Sequence, residues 1–363
     1  MRRSRVPLRV LGLFGTSLAL LTALSELRAP TAGEAAREQA TERATALVLD
    51  IAERGPGALL RGAKELGAAA PVRSPLLVAA GAWAKLSLAR VGLLSRTTSA
   101  RLPWILLAAL GPAAVGVLGV SVLGERRGPW LGLGLLLHPS FALDAVHGSM
   151  ASASALLAVA ATASLGGRTP GAAGTVVATL ALLVGMTILP AVVWALPIAV
   201  GHHLWVERLR WRGAPGVVSV PAWAAFALIG SPLVAYALSP AHFRRGLPGM
   251  AQAWLESLGG RGVFPAASQP ELDYAAAASS VLPTFVLLVL ALQGFTVTPA
   301  RRERDSHASA LGVIGAGVAL VAAALTDAAF GVGPAALLLT LPFVVLLAGF
   351  GARFLPRRPA SAA

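Results

Sequence analysis

The chain contains no cysteine and few charged side chains. Because the composition is Cys 0, no disulfide, thiol nucleophile or cysteine-bound metal can form. Charged residues make up 13% of the chain and hydrophobic residues 56%, whereas charged residues are about a quarter of a soluble domain. The mean hydropathy is +0.73. These values exclude an ordinary soluble enzyme and predict an all-α integral membrane protein.

Acids are too few to balance the arginines, and the formal net charge is +14. A strongly basic chain can indicate nucleic-acid binding, but these arginines lie in short clusters between apolar segments. Such a distribution is typical of orientation in a membrane, where basic residues stay on the cytoplasmic side. We therefore expect no nucleic-acid partner and a multi-pass membrane protein with both termini cytoplasmic.

Apolar segments recur along the whole chain, and about 20 residues are needed to cross a bilayer. Counting them predicts one polytopic domain over 1–363, a bundle of about ten transmembrane helices. Its predicted parts are a first helix at 6–27, an outer-face loop with juxtamembrane helices at 28–100, and the remaining bundle at 101–355, with a second outer loop at 239–276.

Two segments are expected to lie at the membrane interface. Ser74 to Leu94 carries Lys85 and Arg90, and a charge at the bilayer centre costs at least about 2.5 kcal/mol. We therefore expect this stretch to lie along the membrane interface, with both basic side chains reaching water. His202-His203, close to Trp205, are expected at the interface as well.

Three short motifs share an order along the chain. They are Arg73-Ser74-Pro75-Leu76 at the start of the interfacial stretch, Arg101-Leu102-Pro103 opening a span, and His138-Pro139 beginning a predicted outer loop that runs to Ser149. In this order they resemble the C-type (GT-C) polyprenyl-phosphate-sugar glycosyltransferases. The protein O-mannosyltransferase-like branch and the lipid A aminoarabinose transferases are the most similar groups. The resemblance covers roughly residues 1–200.

The resemblance implies a transferase of the bacterial inner membrane that takes a sugar from a polyprenyl phosphate on the outer face. The acceptor is unknown, and membrane lipids are the other expected partners. An acidic pair typical of the family falls at Ala40-Thr41 when aligned on Gly55, and neither residue is an acid. Neighbouring acids are therefore considered in its place. The candidate catalytic residues are Glu42, Asp50, Asp144 and His147. The candidate lipid-phosphate-binding residues are Arg73, Lys85, Arg244 and Arg245.

Each candidate catalytic residue also has a structural interpretation. Glu42 can lie on a solvated helix face, and Asp50 can pair with Arg54 four residues on. Asp144 and His147 are three residues apart, a spacing that suits either a polar cap or a shared metal or proton site. No metal ligand is assigned, and a divalent metal ion is left open as a cofactor.

Two other function classes remain open. One is a non-catalytic GT-C relative that binds lipid or assembles an envelope complex. The other is a transporter or flippase, which should have polar residues near mid-membrane and paired broken helices. A transferase should instead bring an acid and cations together beneath the helices of the first outer loop.

Overall fold

The structure, a computed structural model, describes residues 6–28, 42–43, 45–46, 49, 53, 75–147, 149–166, 172–210, 229–230, 274–297, 306–330 and 333–353. Regular structure in these residues is helical throughout, and no strand occurs among them. The all-α fold class predicted from composition is confirmed.

The helices follow one another through short connections over most of the described chain. In order they are α1 Val6–Leu27, α2 Pro75–Ala84, α3 Arg96–Leu123, α4 Gly128–Leu136, α5 Pro139–His147, α6 Ser149–Gly166, α7 Ala172–Ile188, α8 Ala195–Arg210, α9 Tyr274–Val297, α10 Ser306–Phe330 and α11 Leu341–Ala352. A π-helical turn, Lys85–Ala89, continues α2. Short 3-10 helices, Pro190–Trp194 and Gly333–Thr340, lead into α8 and α11.

Helix α3 lies at the centre of the bundle. It is 28 residues long, about 42 Å at 1.5 Å per residue, and it contacts α1, α2, α4, α5, α6 and α11. Its residues Ile105, Ala108 and Val115 are fully buried. Many buried positions of the neighbouring helices are alanines, so the bundle is held by close approach of backbones more than by large side chains.

Three helices of the described chain are long and apolar enough to cross a membrane: Leu8–Leu27, Arg96–Ser121 and Ala308–Leu325. A bent pair, Pro139–Val146 with Met150–Leu165, would make a fourth if it is one span. Shorter apolar helices accompany them. These helices fit a membrane protein, while a bundle of about ten crossings stays a prediction.

The interfacial stretch is helical but short. Pro75 to Ala89 forms α2 and the π-helical turn, about 22 Å of helix at 1.5 Å per residue. The hydrocarbon core is about 30 Å thick, so this segment is too short to cross it upright. Its length fits the predicted position along the interface.

The predicted outer loop at 138–149 is wrong in its secondary structure, since residues Pro139–His147 form α5. Pro139 suits the first helical position, where its missing N–H is not needed. Phe141, Ala145 and Val146 then fall on one buried face, and that tertiary burial outweighs the polar residues between them.

Two predicted boundaries also shift. Helix α3 begins at Arg96, five residues before the expected start of the bundle at 101, because Ser95 caps it. Helix α9 begins at Tyr274, inside the predicted outer loop 239–276, and residues 239–273 of that loop lie outside the described residues.

Glycines allow the closest helix contacts. A Cβ on Gly351 of α11 would meet the backbone oxygen of Leu290 in α9, and a Cβ on Gly294 of α9 would meet the backbone oxygen of Leu347 in α11. Helices α9 and α11 therefore pack backbone to backbone, as small residues permit in lipid, where the hydrophobic effect does not drive association.

We predict that Gly294→Ala destabilises the protein by about 1–3 kcal/mol, the usual cost of overpacking, because the backbone oxygen of Leu347 cannot rotate away. Gly317→Ala in α10 is the matched control, since a Cβ there meets nothing within 4 Å. Thermal unfolding in detergent should show a lower midpoint for Gly294→Ala alone. Equal midpoints for the two variants would contradict the contact.

Candidate functional site

Arg101 lies where the end of α1 meets the start of α3. Its side chain is buried, and Nη1 donates hydrogen bonds to the carbonyl oxygens of Ser25 at 3.0 Å and Arg28 at 3.2 Å, and to Ser25 Oγ at 3.1 Å. The last carbonyls of a helix lack intrahelical donors, and a cation there complements the helix dipole. Arg101 therefore caps the C-terminus of α1.

The start of α3 is capped in turn from α1. Ser95 Oγ accepts a hydrogen bond from the backbone N–H of Thr98 at 3.1 Å, as an N-cap serine does. The backbone N–H of Ser95 donates to Glu26 Oε1 at 2.9 Å. Thr98 Oγ1 also lies 3.2 Å from Ser25 Oγ. Each helix thus satisfies polar groups at the terminus of the other.

The opposite ends of these helices are joined as well. Arg9 Nη1, near the start of α1, donates to the carbonyl oxygen of Glu125 at 2.7 Å, just after α3 ends. Helices α1 and α3 are therefore antiparallel. Arg126 and Arg127, both exposed, lie at the same end as the start of α1, as the predicted topology requires of residues on one side of the membrane.

Two of the predicted site residues meet near α2 and α3. Lys85 Nζ lies 3.2 Å from Glu42 Oε1. The Lys85 side chain is 12% exposed and that of Glu42 is 60% exposed. The Lys85 side chain is thus largely covered, while the Glu42 side chain remains open to solvent or a ligand. Lys85 opens the π-helical turn, a distortion of helical geometry that is frequent at functional sites.

The third motif contributes a buried histidine. His138 directly precedes α5 and is 4% exposed. Its Nε2 lies 3.3 Å from Thr284 Oγ1 in α9, which joins the start of α5 to a distant part of the chain. Nδ1 is buried without a hydrogen-bond partner. The ring is accordingly placed to fix the position of α5 relative to α9.

The remaining predicted site residues are placed as follows. Asp144 lies on α5, partly buried and already engaged in an interaction. His147 ends α5 three positions later, but its side chain lies outside the described residues. Asp50, Arg73, Arg244 and Arg245 also lie outside the described residues. Among the described side chains, no group of three His, Asp or Glu residues could hold a metal ion.

Sequence reasoning missed the capping residues at the junction of α1 and α3. Ser95 ahead of a helical segment is a recognisable N-cap signal, and it could have been found. The role of Glu26 could not, because its partner Ser95 is 69 positions away. The interfacial position predicted for His202 and His203 stays a prediction, and within the bundle both side chains are buried. Helix α8, which carries them, is packed against α6 and α10.

We predict that Arg101→Leu costs about 2–5 kcal/mol of stability, because it removes the buried charged donor that the carbonyls of Ser25 and Arg28 share. The 3.4 Å hydrogen bond from the N–H of Arg28 to the carbonyl of Ser25 is a weak replacement. Arg96→Leu is the control: it removes the same charge from an exposed position five residues earlier. Chemical or thermal unfolding of both variants measures the difference. Similar stabilities would show that the capping hydrogen bonds contribute little.

A pH effect is expected at His138, which lies outside the candidate spans. Burial lowers the pKa of the His138 imidazole in the folded protein. In the unfolded chain the pKa of a histidine is about 6.5, so as the pH falls the unfolded state binds this proton first. This histidine therefore contributes its full stability above about pH 6.5, and the contribution falls as the pH drops through that value. Between pH 7.5 and 5.5, the unfolding midpoint should fall further for wild type than for His138→Asn. Parallel losses would contradict this assignment.

Comparisons with protein-family models, with curated proteins and with solved structures find no match for this chain. The GT-C resemblance therefore depends on the three motifs themselves. The structure describes Arg101-Leu102-Pro103 completely, and it describes the third motif as the buried His138 and the helix that follows.

Proposed function

We propose that this chain is a membrane glycosyltransferase that transfers a sugar from a polyprenyl phosphate to an acceptor on the outer face of the membrane. In this proposal Lys85 contacts the lipid phosphate and Glu42 orients and deprotonates the acceptor hydroxyl. The observation that carries it is the 3.2 Å approach of Lys85 Nζ to Glu42 Oε1. An acid and a cation proposed separately for this chemistry are thereby adjacent.

The chemistry of transfer needs both charges. The acceptor oxygen forms a bond to the anomeric carbon as the bond from that carbon to the phosphate oxygen breaks. The hydroxyl proton passes to the Glu42 carboxylate, and the electron pair of the broken bond leaves on the polyprenyl phosphate. A positioned base accelerates such a step by about 10²–10⁴-fold, and a cation beside the leaving phosphate stabilises its developing charge.

The ion pair offers a way to link the two roles. While Glu42 is ionised, its carboxylate holds the Lys85 ammonium. When Glu42 accepts the acceptor's proton it loses its charge, and the attraction between the two groups is lost with it. The ammonium is then available to the phosphate at the step where negative charge builds up there. The pair would therefore exchange one anionic partner for another during transfer.

The surroundings of the pair support a site on the membrane interface. Lys85 follows α2, a mainly apolar helix that contacts α3 and is too short to cross the hydrocarbon core. Such a position suits a lipid substrate, whose phosphate lies at the interface while its polyprenyl chain stays in the hydrocarbon. Arg101, from the second motif, would serve this site by holding α1 and α3 together and not by touching the phosphate.

We expect Lys85→Met to weaken polyprenyl monophosphate binding about 10- to 100-fold, the loss of one charge-assisted contact. Native mass spectrometry of the purified protein with added polyprenyl monophosphate measures it. Lys64→Met is the control, because Lys64 is the one other lysine of the chain. Glu42→Gln should keep lipid binding and lose transfer from a panel of polyprenyl-phosphate hexoses, while Glu53→Gln should keep both.

The charge-swapped double variant Glu42→Lys/Lys85→Glu separates a catalytic pair from a merely structural one. It retains an ion pair, so the fold should be kept, but lipid binding and transfer should both be lost. Wild-type activity in the swapped protein would overturn the proposal. Lipid binding by wild type with no transfer to any acceptor tested would assign the chain to the lipid-binding relatives instead.

A further inference from the structure

A rigid turn joins the π-helical segment to α3. Gly92 has a φ of +75°, in the left-handed region that favours glycine. The N–H of Leu93 donates to the carbonyl of Leu88 at 3.0 Å, and the N–H of Gly92 donates to that of Ala89 at 3.1 Å. These two hydrogen bonds form a Schellman motif, with Gly92 at the position after the helix end. The turn therefore has a defined shape.

The turn and the helix before it expose large apolar side chains. Trp83 is 63% exposed, Val91 73% and Leu93 68%. Tryptophan is enriched where membrane meets water, since its ring is apolar and its N–H polar. We call residues 83–96 the interfacial hairpin, since they comprise the end of the helical segment, the turn and the first residue of α3.

The charges of the interfacial hairpin have one sign. Arg90 and Arg96 are exposed, and the sequence has no acid between Glu65 and Glu125. Arg96 occupies the first position of α3, whose own first turn carries no acid. The acid at this terminus is Glu26 of α1, whose carboxylate accepts from the N–H of Ser95. Two exposed arginines against this one carboxylate leave a net positive charge, which attracts an anionic surface.

We propose that the interfacial hairpin inserts Val91 and Leu93 into the headgroup layer of the membrane and binds anionic phospholipids through Arg90 and Arg96. Apolar side chains flanked by arginines match a surface that is apolar inside and negatively charged outside. The inference is independent of the proposed transferase activity, since it involves neither Glu42 nor the polyprenyl donor. The partner of this face is then a lipid surface.

The absence of cysteine from the chain permits a direct test. Leu93→Cys supplies a single thiol, which is labelled with an environment-sensitive fluorophore. The full-length protein is then reconstituted in nanodiscs of phosphatidylcholine in which about a third of the lipid is anionic phosphatidylglycerol. Quenching is compared between nitroxide-labelled phosphatidylglycerol and nitroxide-labelled phosphatidylcholine, each at the same fraction. We expect quenching by both lipids, with phosphatidylglycerol enriched around the label.

Each arginine near an anionic surface should raise that enrichment about fivefold at low salt. Arg90→Gln/Arg96→Gln in the labelled protein should therefore remove the preference for phosphatidylglycerol and leave quenching by phosphatidylcholine in place. Arg126→Gln/Arg127→Gln is the matched control: both arginines are exposed and lie at the other end of α3, so the preference should persist.

Three results would overturn the proposal. A label that neither lipid quenches would place the turn in water. Equal quenching by the two lipids in wild type would remove the anionic preference. Quenching that disappears as the number of proteins per nanodisc rises would show that a second copy of the chain, and not lipid, covers this face.

Discussion

The reciprocal capping of α1 and α3 is the constraint on which the described bundle depends. Arg101 satisfies the last carbonyls of α1, and Glu26 accepts from the N-cap residue of α3. Unsatisfied backbone groups cost several kcal/mol each in a medium without water, so a helix terminus near lipid needs such partners. These polar contacts lie at one end of the pair, and the bond from Arg9 to Glu125 secures the other.

The capping of α1 and α3 also affects the candidate site, because helix α3 contacts the segment that carries Lys85. Helix α2 and the π-helical turn that carries Lys85 are packed against α3, and so is α5, which His138 and Thr284 connect to α9. The position of Lys85 therefore depends on an antiparallel pair whose ends are both held. Backbone-to-backbone packing at Gly294 and Gly351 gives the same rigidity to α9 and α11.

The segment from Lys85 to Arg96 carries basic side chains that differ in exposure. Lys85 is largely covered and has an acidic partner, whereas Arg90 and Arg96 are exposed. A covered cation with a carboxylate beside it suits a single phosphate and a proton transfer. Exposed arginines on a rigid turn suit many equivalent headgroups. The segment from Lys85 to Arg96 would thus serve both substrate and membrane.

Composition and long apolar runs were enough to predict the helical fold class, the apolar helices that fit a membrane protein, and the long apolar helix α3. The sequence also indicated that Ser74 to Leu94 is not an ordinary span, from the charges within it. The packing of the helices showed what these patterns did not: residues 139–147 are helical, His202 and His203 are buried, and Glu26, Arg101 and Lys85 have distant partners. Those features join residues that are far apart in the chain, and no local pattern of apolar or polar residues specifies such a meeting.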